Sequence, residues 1–229
     1  MPVHGPGKGD DTMILLYLAA AAAALLLGWG MLVCAAATVT GAGQTIRSGW
    51  QIRRVIVPVA VSQLAVALFV PLYYGVGGVD LLRTLLMVDI LWACAWSDAQ
   101  VCLIPNRVLV LGSLVGTALL GMEILWQPQQ FRYRVLRVAI AAGALLLTAL
   151  LCRVVSPRAV GMGDVKLLAV MGFCLGMDLV WPALFFSFVI LFAVCVFLLV
   201  TRRAKRTDSI PFAPFLLAGT LLAAFLTGI

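Results

Sequence analysis

The sequence predicts an all-α membrane protein, a polytopic bundle of about eight transmembrane helices, with a range of six to eight. Apolar residues make up 64% of the 229-residue chain, charged residues make up only 11%, and the mean hydropathy is +1.13. A soluble domain carries roughly 25% charged residues, so water is not the solvent in which this composition folds. Apolar runs follow one another along the chain, and many approach the length of about 20 residues that crosses a bilayer.

The N-terminal part is predicted to consist of a disordered leader and a first span. Residues 1–12 are rich in glycine and proline, which is typical of a disordered terminus. The apolar run at 13–37 exceeds the core of a signal peptide, and the flank before it is not net positive. We therefore interpret this run as a retained transmembrane helix.

Further apolar runs follow, and each is a predicted span. They lie near 55–74, 80–97, 107–126, 136–155, 164–176, 179–201 and 209–228. The run at 164–176 is short, so it can cross a membrane only if it is broken or covered by neighbouring helices. Gly176 and Pro182 flank the turn that is predicted at its exit.

The basic residues indicate how the chain is oriented in the membrane. The formal net charge is +7, but the lysines and arginines lie mostly in short loops, so they are interpreted as topology signals and not as a nucleic-acid surface. If the loop at 40–54 is cytoplasmic, most of the sixteen basic residues share that side, together with Asp98 and the segment at 161–164. Three arginines at 132–137 fall on the opposite side and run against this bias.

The cysteines and the single histidine give no support to a metal or redox site. The six cysteines contain no Cys-x-x-Cys pair and lie mostly in or beside apolar runs, so they are interpreted as free thiols that fill apolar space. The only histidine, His4, lies in the predicted leader. A Ser-His-Asp triad, a metal and a cofactor are therefore not expected.

Asp98 and Asp164 are the candidate catalytic residues. Each lies at the end of an apolar run, and an ionisable side chain at membrane depth costs several kcal/mol, so it usually has a function. Two carboxylates from separate helices can share one proton, so that one acts as an acid and the other as a base in peptide hydrolysis. Asp89 lies within a span and must be paired or neutral; Arg83 or a hydroxyl of a neighbouring helix could be its partner.

The segment after Asp98 also has a plain structural interpretation. Asp98 could simply cap the next helix. Pro105 and Asn106 could be only a stop signal and an N-cap for the span that starts at Arg107.

The segment around Asp164 likewise has two interpretations. Gly161 and Gly163 could form only a turn, with Asp164 capping the helix that follows. Glycines also let one backbone approach another, so an extended substrate could pass near the carboxylate without a side-chain collision. Lys166 is interpreted as an interfacial anchor and not as a catalytic base.

Three motifs occur in a fixed order in the second half of the chain. The first runs from Asp98 to Ile104-Pro105-Asn106, the second is Gly161-x-Gly163-Asp164-x-Lys166, and the third is Ser209-Ile-Pro211-Phe212-Ala-Pro214. Together they resemble the prepilin peptidases, the type IV leader peptidases of the GxGD aspartyl protease class. The third motif is similar to the Pro-Phe-Gly-Pro segment of that family, with Ala213 in the place of the usual glycine. The resemblance covers roughly residues 80–229.

The resemblance implies a function and a partner. It implies an aspartic endopeptidase that cleaves short, basic leader peptides from prepilins and related pseudopilins. The active site would face the cytoplasm from within the inner membrane, in contact with lipid and with no nucleic-acid partner. No cofactor is implied.

The resemblance also implies roles for particular residues. Asp98 and Asp164 would be catalytic. Substrate-binding or structural roles would fall to the other residues of the three motifs, namely Gly161, Gly163, Lys166, Pro105, Asn106, Pro211, Phe212 and Pro214. The chain would divide into a leader at 1–12, N-terminal helices with a shortened cytoplasmic loop at 13–79, and a peptidase core at 80–229.

One departure from the family concerns a second activity. Many bacterial members carry two Cys-x-x-Cys pairs in a cytoplasmic loop after the first span and also N-methylate the trimmed pilin. The corresponding loop here, 40–54, is short and has no cysteine. Methyltransferase activity is therefore not expected.

Two other functions stay open on the sequence. A presenilin-like or signal-peptide-peptidase-like protease shares the GxGD motif, although Ser97 stands where those families usually have tyrosine. A small transporter or channel could use Asp89, Asp98 and Asp164 as proton or cation sites, although no inverted repeat is visible. The separation of the two carboxylates distinguishes these functions, because a catalytic dyad needs both within reach of one water molecule.

Overall fold

Long apolar runs become long helices in this chain. The computed structural model describes residues 8–41, 48–74, 78–126, 128–155, 161–202 and 210–227, and over these ranges it contains seven α-helices and no β-strand. The helices are α1 (Lys8–Gly41), α2 (Ser48–Tyr74), α3 (Gly78–Val101), α4 (Asn106–Trp126), α5 (Pro128–Val155), α6 (Met162–Val200) and α7 (Ala213–Thr227). The predicted all-α fold is confirmed.

Several of these helices have the length and composition of membrane spans. Within the described ranges, three segments are long and apolar enough to cross a membrane, and they are Ala19–Thr40, Arg132–Val155 and Met162–Val200. Val55–Pro71 and Ala213–Thr227 are shorter apolar helices. Large apolar side chains are exposed over the outer surface, as expected where lipid replaces water. The protein is an integral membrane protein, and the number of eight spans stays a prediction.

α1 begins earlier than the sequence predicted. Its first residue is Lys8, so residues 8–12 of the predicted disordered leader belong to the helix, and 1–7 lie outside the described residues. Both prolines of the predicted leader, Pro2 and Pro6, precede residue 8 in the sequence, so neither interrupts this helix.

Helix also replaces much of the loop that was predicted at 40–54. α1 continues to Gly41 and α2 starts at Ser48, while 42–47 lie outside the described residues. Residues 40, 41 and 48–54 of the predicted loop are therefore helical.

α3 runs through the centre of the bundle. It packs against α1, α2, α4, α6 and α7, and most of its residues are buried. Met87, Ile90 and Leu91 are fully buried in the main apolar core. Because Asp98 lies at the end of this central helix and is itself buried, protein and not lipid surrounds its carboxylate.

α6 is a single element that is broken in its middle. Gly176 has φ +66° and ψ −168°, a conformation that is non-helical and that glycine adopts at little cost. The predicted spans at 164–176 and 179–201 are therefore joined directly at this glycine. Pro182, which was expected to flank the turn, lies within the second helical half instead.

The two halves of α6 pack closely on different neighbours. A Cβ atom added at Gly172 in the first half would lie 2.8 Å from the Cα of Ala142 in α5. The second half packs on α7, where a Cβ added at Gly219 would collide with Ser187. Small residues thus let the backbones approach, as they do in other membrane bundles.

Four charged side chains are paired near the N-terminal end of α3. Arg83 Nη1 lies 3.6 Å from Glu123 Oε2, and Arg134 Nη1 donates to Asp80 Oδ1 at 2.6 Å and also bonds Glu123. Arg83 Nη2 reaches the carbonyl oxygen of Phe173 at 3.4 Å, shortly before the break in α6. This charged network therefore links α3, α4, α5 and the first half of α6.

Two of the three arginines that ran against the charge bias have acidic partners. Arg134 belongs to the charged network, and Arg137 bonds Asp178 while its guanidinium carbon lies 5.3 Å from the centroid of the Tyr133 ring. These contacts give both arginines a structural reason to lie on that side of the bundle.

Candidate active site

Asp98 lies in the last turn of α3, where the chain leaves the helix. The N–H of Cys102 donates to the carbonyl of Asp98 at 2.9 Å, and Cys102 has φ +51°, a left-handed conformation that ends the helix. Residues 103–105 are non-helical and lead directly into α4. We refer to residues 102–105 as the connector.

The prediction that Asn106 is the N-cap of the next helix is wrong by one residue. α4 begins at Asn106, and the Pro105 carbonyl accepts the N–H groups of Val108 at 3.1 Å and Leu109 at 3.4 Å. Pro105 therefore occupies the N-cap position, where its lack of an N–H group leaves no donor unsatisfied. The Asn106 side chain is left available for another contact, described below.

The carboxylate of Asp98 is held by the start of α7. Its Oδ2 atom accepts a hydrogen bond from the backbone N–H of Ala213 at 3.0 Å, and both residues are buried. Ala213 is the first residue of α7, and the Phe212 carbonyl before it accepts the N–H groups of Phe215 at 3.1 Å and Leu216 at 3.3 Å. The donor is thus one of the N–H groups that a helix N-terminus cannot satisfy internally.

Asp164 occupies the first turn of α6. Its Oδ2 atom accepts the N–H of Gly161 at 3.2 Å, and the Gly161 carbonyl accepts the N–H of Val165 at 3.3 Å. Gly161 is the N-cap and has φ −70° and ψ 150°, which residues with side chains also adopt. An added Cβ would lie 3.0 Å from Asp164 Oδ2, a tight contact that would require the carboxylate to shift slightly.

The connector lies between the helix that carries Asp98 and the helix that carries Asp164. A Cβ added at Gly163 would lie 2.9 Å from the Cβ of Ile104, so the start of α6 packs directly on the connector. The buried Ser97 hydroxyl donates to the Leu103 carbonyl at 2.7 Å and fixes the connector to α3. These contacts set the spacing between the two acidic residues.

The structure brings the two candidate acids together. The Asp98 and Asp164 side chains lie near enough for their charges to repel each other, and both also act on the buried thiol of Cys94, one turn before Asp98. Two acids that interact through space at the ends of different helices can share a proton. The charges of the two acids therefore interact, and their action as a catalytic pair stays a prediction.

The third motif reaches this site only because α6 turns back on itself. In one straight helix, Phe188 would lie roughly 35 Å from Asp164. Instead, the Phe188 ring packs against Phe212, with 6.1 Å between ring centroids, and the next residue after Phe212 bonds Asp98. The two halves of α6 therefore run in opposite directions from Gly176. Pro211 and Pro214, the other predicted residues of this motif, flank the same turn and are half-buried.

Lys166 lies at the surface, two residues after Asp164 in the first part of α6. Its Nζ atom donates to Asn106 Oδ1 at 3.1 Å, which joins the starts of α4 and α6. These two residues form one end of an open groove of about 490 Å³ that continues along a face of α4 as far as Thr117. The contact agrees with a positional role for Lys166 and gives Asn106 a partner that the sequence did not indicate.

Asp89, the remaining buried acid of α3, belongs to a different cluster. Gln63 Nε2 donates to Asp89 Oδ1 at 2.6 Å and to the Leu85 carbonyl at 3.0 Å. The expected partners, Arg83 or a hydroxyl, are replaced by this amide from α2. A Cβ added at Gly28 of α1 would collide with the same carboxylate, so three helices meet around Asp89.

Two groups at the site were not anticipated from the sequence. They are the Ser97 hydroxyl and the Ala213 N–H. The position of Ser97 next to Asp98 could have indicated its role. A backbone N–H leaves no mark in the sequence, so the role of the Ala213 N–H could not be found in this way. Among the described residues, no group of three His, Cys, Asp or Glu side chains is arranged to hold a metal ion.

Comparisons with known proteins point to one family. The sequence profile of the type IV leader peptidase family matches residues 85–200. A curated prepilin leader peptidase/N-methyltransferase from Bacillus subtilis (strain 168) is 33% identical over 144 residues, which is 63% of this chain and 55% of that protein. The chain thus spans about half the length of that relative. No solved structure gives a significant match.

Proposed function

Because this chain belongs to the type IV leader peptidase family, we propose that it is a membrane aspartyl endopeptidase that removes short, basic leader peptides from prepilin-like precursors. Cleavage would take place at the cytoplasmic face of the inner membrane. The family supports a prepilin-processing protease in general. The aspartyl mechanism, the basic leader and the membrane face are the parts that this proposal adds.

One observation carries the aspartyl mechanism, and it is the pairing of Asp98 with Asp164. The two side chains interact through space although they come from α3 and α6. Hydrolysis by a shared proton needs two acids whose charges interact, whereas a transport path does not depend on such an interaction. The pairing therefore favours a protease over a cation or proton transporter.

The hydrogen bonds around the pair leave one oxygen of each acid for chemistry. Oδ2 of Asp98 accepts from Ala213, and Oδ2 of Asp164 accepts from Gly161. Both donors are backbone groups, so each carboxylate is oriented without a charged partner. The two Oδ1 atoms are left to hold the attacking water and the shared proton.

The reaction follows from a dyad with one proton. The ionised carboxylate takes a proton from the water, the water oxygen attacks the scissile carbonyl carbon, and the protonated acid donates to the carbonyl oxygen. Collapse of the tetrahedral intermediate then breaks the C–N bond, with a proton transferred to the leaving amine. No covalent enzyme intermediate forms. The proton belongs to the pair, and either acid can carry it at the start.

The membrane face is proposed from the charge distribution and the chain direction. Asp98 ends α3 and Asp164 begins α6, so both lie on one side of the bundle. Most of the basic loop residues were predicted on that side, which is the cytoplasmic one under the positive-inside rule. A leader that has not crossed the membrane would meet the dyad there.

The test is the loss of cleavage in two isosteric variants. Asp98→Asn and Asp164→Asn are each expected to abolish leader cleavage, because an amide cannot exchange the catalytic proton. Asp89→Asn is the matched control, since it changes a buried acid of the same helix outside the pair, and it is expected to retain cleavage. Co-expression with a prepilin that has a short basic leader, read as a gel shift, measures the outcome.

Two controls make the result interpretable. Membrane fractionation and a thermal unfolding curve in detergent show whether each variant is inserted and folded. If Asp98→Asn or Asp164→Asn were inserted and still cleaved near the wild-type rate, that residue would lose its catalytic role.

A further inference from the structure

We infer that the backbone N–H of Ala213 is a positioning group of the active site, and that the third motif exists to deliver it to Asp98. The inference rests on the proposed peptidase function. It goes beyond that function because it assigns a role to one backbone atom pair, the N–H of the first residue of α7.

The contact is direct and enclosed. Ala213 N lies 3.0 Å from Asp98 Oδ2, a normal distance for a hydrogen bond to a carboxylate. Ala213 is fully buried, and Asp98 is only 6% exposed. Water therefore competes little for the Oδ2 atom, and the N–H must keep this acceptor if it is not to be left unsatisfied.

The local sequence presents this donor and no other from the same turn. Phe212 is the N-cap, because its carbonyl accepts from Phe215 and Leu216. Ala213 follows as the first helical residue, whose N–H has no acceptor within the helix. Pro214 comes next and has no N–H, so it cannot compete for the carboxylate. The prolines and the helix start thus direct a single N–H to Asp98.

The hydrogen bond also determines which oxygen of Asp98 can take part in proton transfer. An oxygen that accepts an N–H cannot at the same time place a carboxyl proton along that direction. Oδ2 is therefore fixed as an acceptor, and Oδ1 is the atom that exchanges the proton. Holding one carboxylate orientation reduces the reorganisation needed when the water is deprotonated.

The sharpest test removes only the N–H. An amide-to-ester replacement, in which Ala213 is exchanged for lactic acid, keeps the methyl group and replaces the N–H by oxygen. We expect kcat for prepilin cleavage to fall about ten- to hundred-fold, the usual effect of losing a hydrogen bond to a charged group. KM should change less than about twofold, because the group does not touch substrate.

Two further variants separate positioning from stability. The same ester at Phe215 removes another N–H of this helical turn, one that bonds Phe212 and not the active site, and should leave kcat within about twofold. Ala213→Pro also removes the N–H by ordinary mutagenesis, but its ring would press on the Asp98 carboxylate, so it should lose at least as much kcat as the ester.

The outcomes distinguish this inference from the proposed function. If Asp98→Asn and Asp164→Asn are inactive but the Ala213 ester cleaves like the wild type, the positioning role is overturned and the peptidase stands. Equal losses for the esters at Ala213 and Phe215 would also overturn it, since they would indicate a general loss of helix stability. If the two aspartate variants still cleave, the proposed function itself fails.

Discussion

Gly163 marks the closest approach between the helix of Asp164 and the connector. A Cβ there would already lie 2.9 Å from Ile104 Cβ, so a longer side chain must push the two apart. Gly163→Leu is expected to lower leader cleavage by roughly tenfold or more, because overpacking costs about 1–3 kcal/mol and acts directly on the spacing of the acids.

A variant at the start of α7 is the control for Gly163→Leu in the leader-cleavage assay. Ala213→Gly removes one methyl group, keeps the N–H that bonds Asp98, and should be nearly silent in cleavage. Initial rates with a purified prepilin measure both. Equal losses from the two variants would show that the packing of Gly163 on Ile104 has no special effect on the acids.

Ser97 offers a second prediction at the residue scale. Its hydroxyl donates to the Leu103 carbonyl, so Ser97→Ala leaves that carbonyl without this donor, at a cost of about 1–3 kcal/mol. We expect both a lower unfolding temperature and slower cleavage. Ser113→Ala is the matched control, because Ser113 bonds only the carbonyl four residues before it in its own helix.

A thermal scan in detergent measures the unfolding temperature of Ser97→Ala, and a cleavage assay on the same preparation measures its rate. If Ser97→Ala had the same unfolding temperature and the same cleavage rate as Ser113→Ala, the packing of Ile104 alone would hold the connector.

At the scale of elements, the break in α6 depends on contacts from other helices. Arg83 reaches the Phe173 carbonyl near the break and pairs with Glu123, all inside the bundle. Arg83→Met is expected to destabilise the protein by about 3 kcal/mol, because removing one partner of a buried pair leaves the other poorly compensated. Glu123 keeps Arg134, which places the expected effect at the lower end of the usual range.

The charge pair between Arg137 and Asp178 is the control for that change. Its side chains are 32% and 64% exposed, so Arg137→Met should cost no more than about 1 kcal/mol. Denaturant unfolding in a fixed detergent compares the two variants. If Arg83→Met were no less stable than Arg137→Met, the charged network would not be what holds the break.

The elements also show which parts of the fold the sequence could predict. Gly176 was expected at the end of a short span, and the structure breaks α6 there, because positive φ is a local property that favours glycine. Asp89 was expected to pair with Arg83 or a hydroxyl, and its partner is Gln63. Arg83 is engaged with Glu123 instead, and such a choice among distant partners depends on tertiary packing.

At the scale of the whole molecule, some features of the site could be predicted from the sequence and others could not. The charge bias and the order of the spans predicted Asp98 and Asp164 at one face. Such a prediction is possible because charge bias and span order can be read from the local composition of the chain. The hydrogen bond from Ala213 to Asp98 could not be predicted in this way, because it joins residues 115 positions apart and uses a backbone group that every residue except proline carries. The sequence identified the acids, and the fold was needed to find what holds them.

A prediction for the whole protein concerns methylation. α1 ends at Gly41 and α2 begins at Ser48, and the loop predicted at 40–54 has no cysteine for a zinc site. We expect the purified protein to trim a prepilin and to leave the new amino terminus unmethylated when S-adenosylmethionine is supplied. Mass spectrometry of the mature product decides this, and a gain of one methyl group would contradict the prediction.

The contact between Ala213 and Asp98 has a consequence for the timing of biogenesis. The ribosome makes Asp98 first and must add 115 residues before the N–H that orients it exists. At roughly 5–20 residues per second, this interval is on the order of ten seconds. Asp164 is synthesised partway through this interval, so both acids of the proposed dyad are present for the remainder of it without the N–H that orients Asp98. Under the proposed function, the late synthesis of α7 would delay leader cleavage until the whole site has been made.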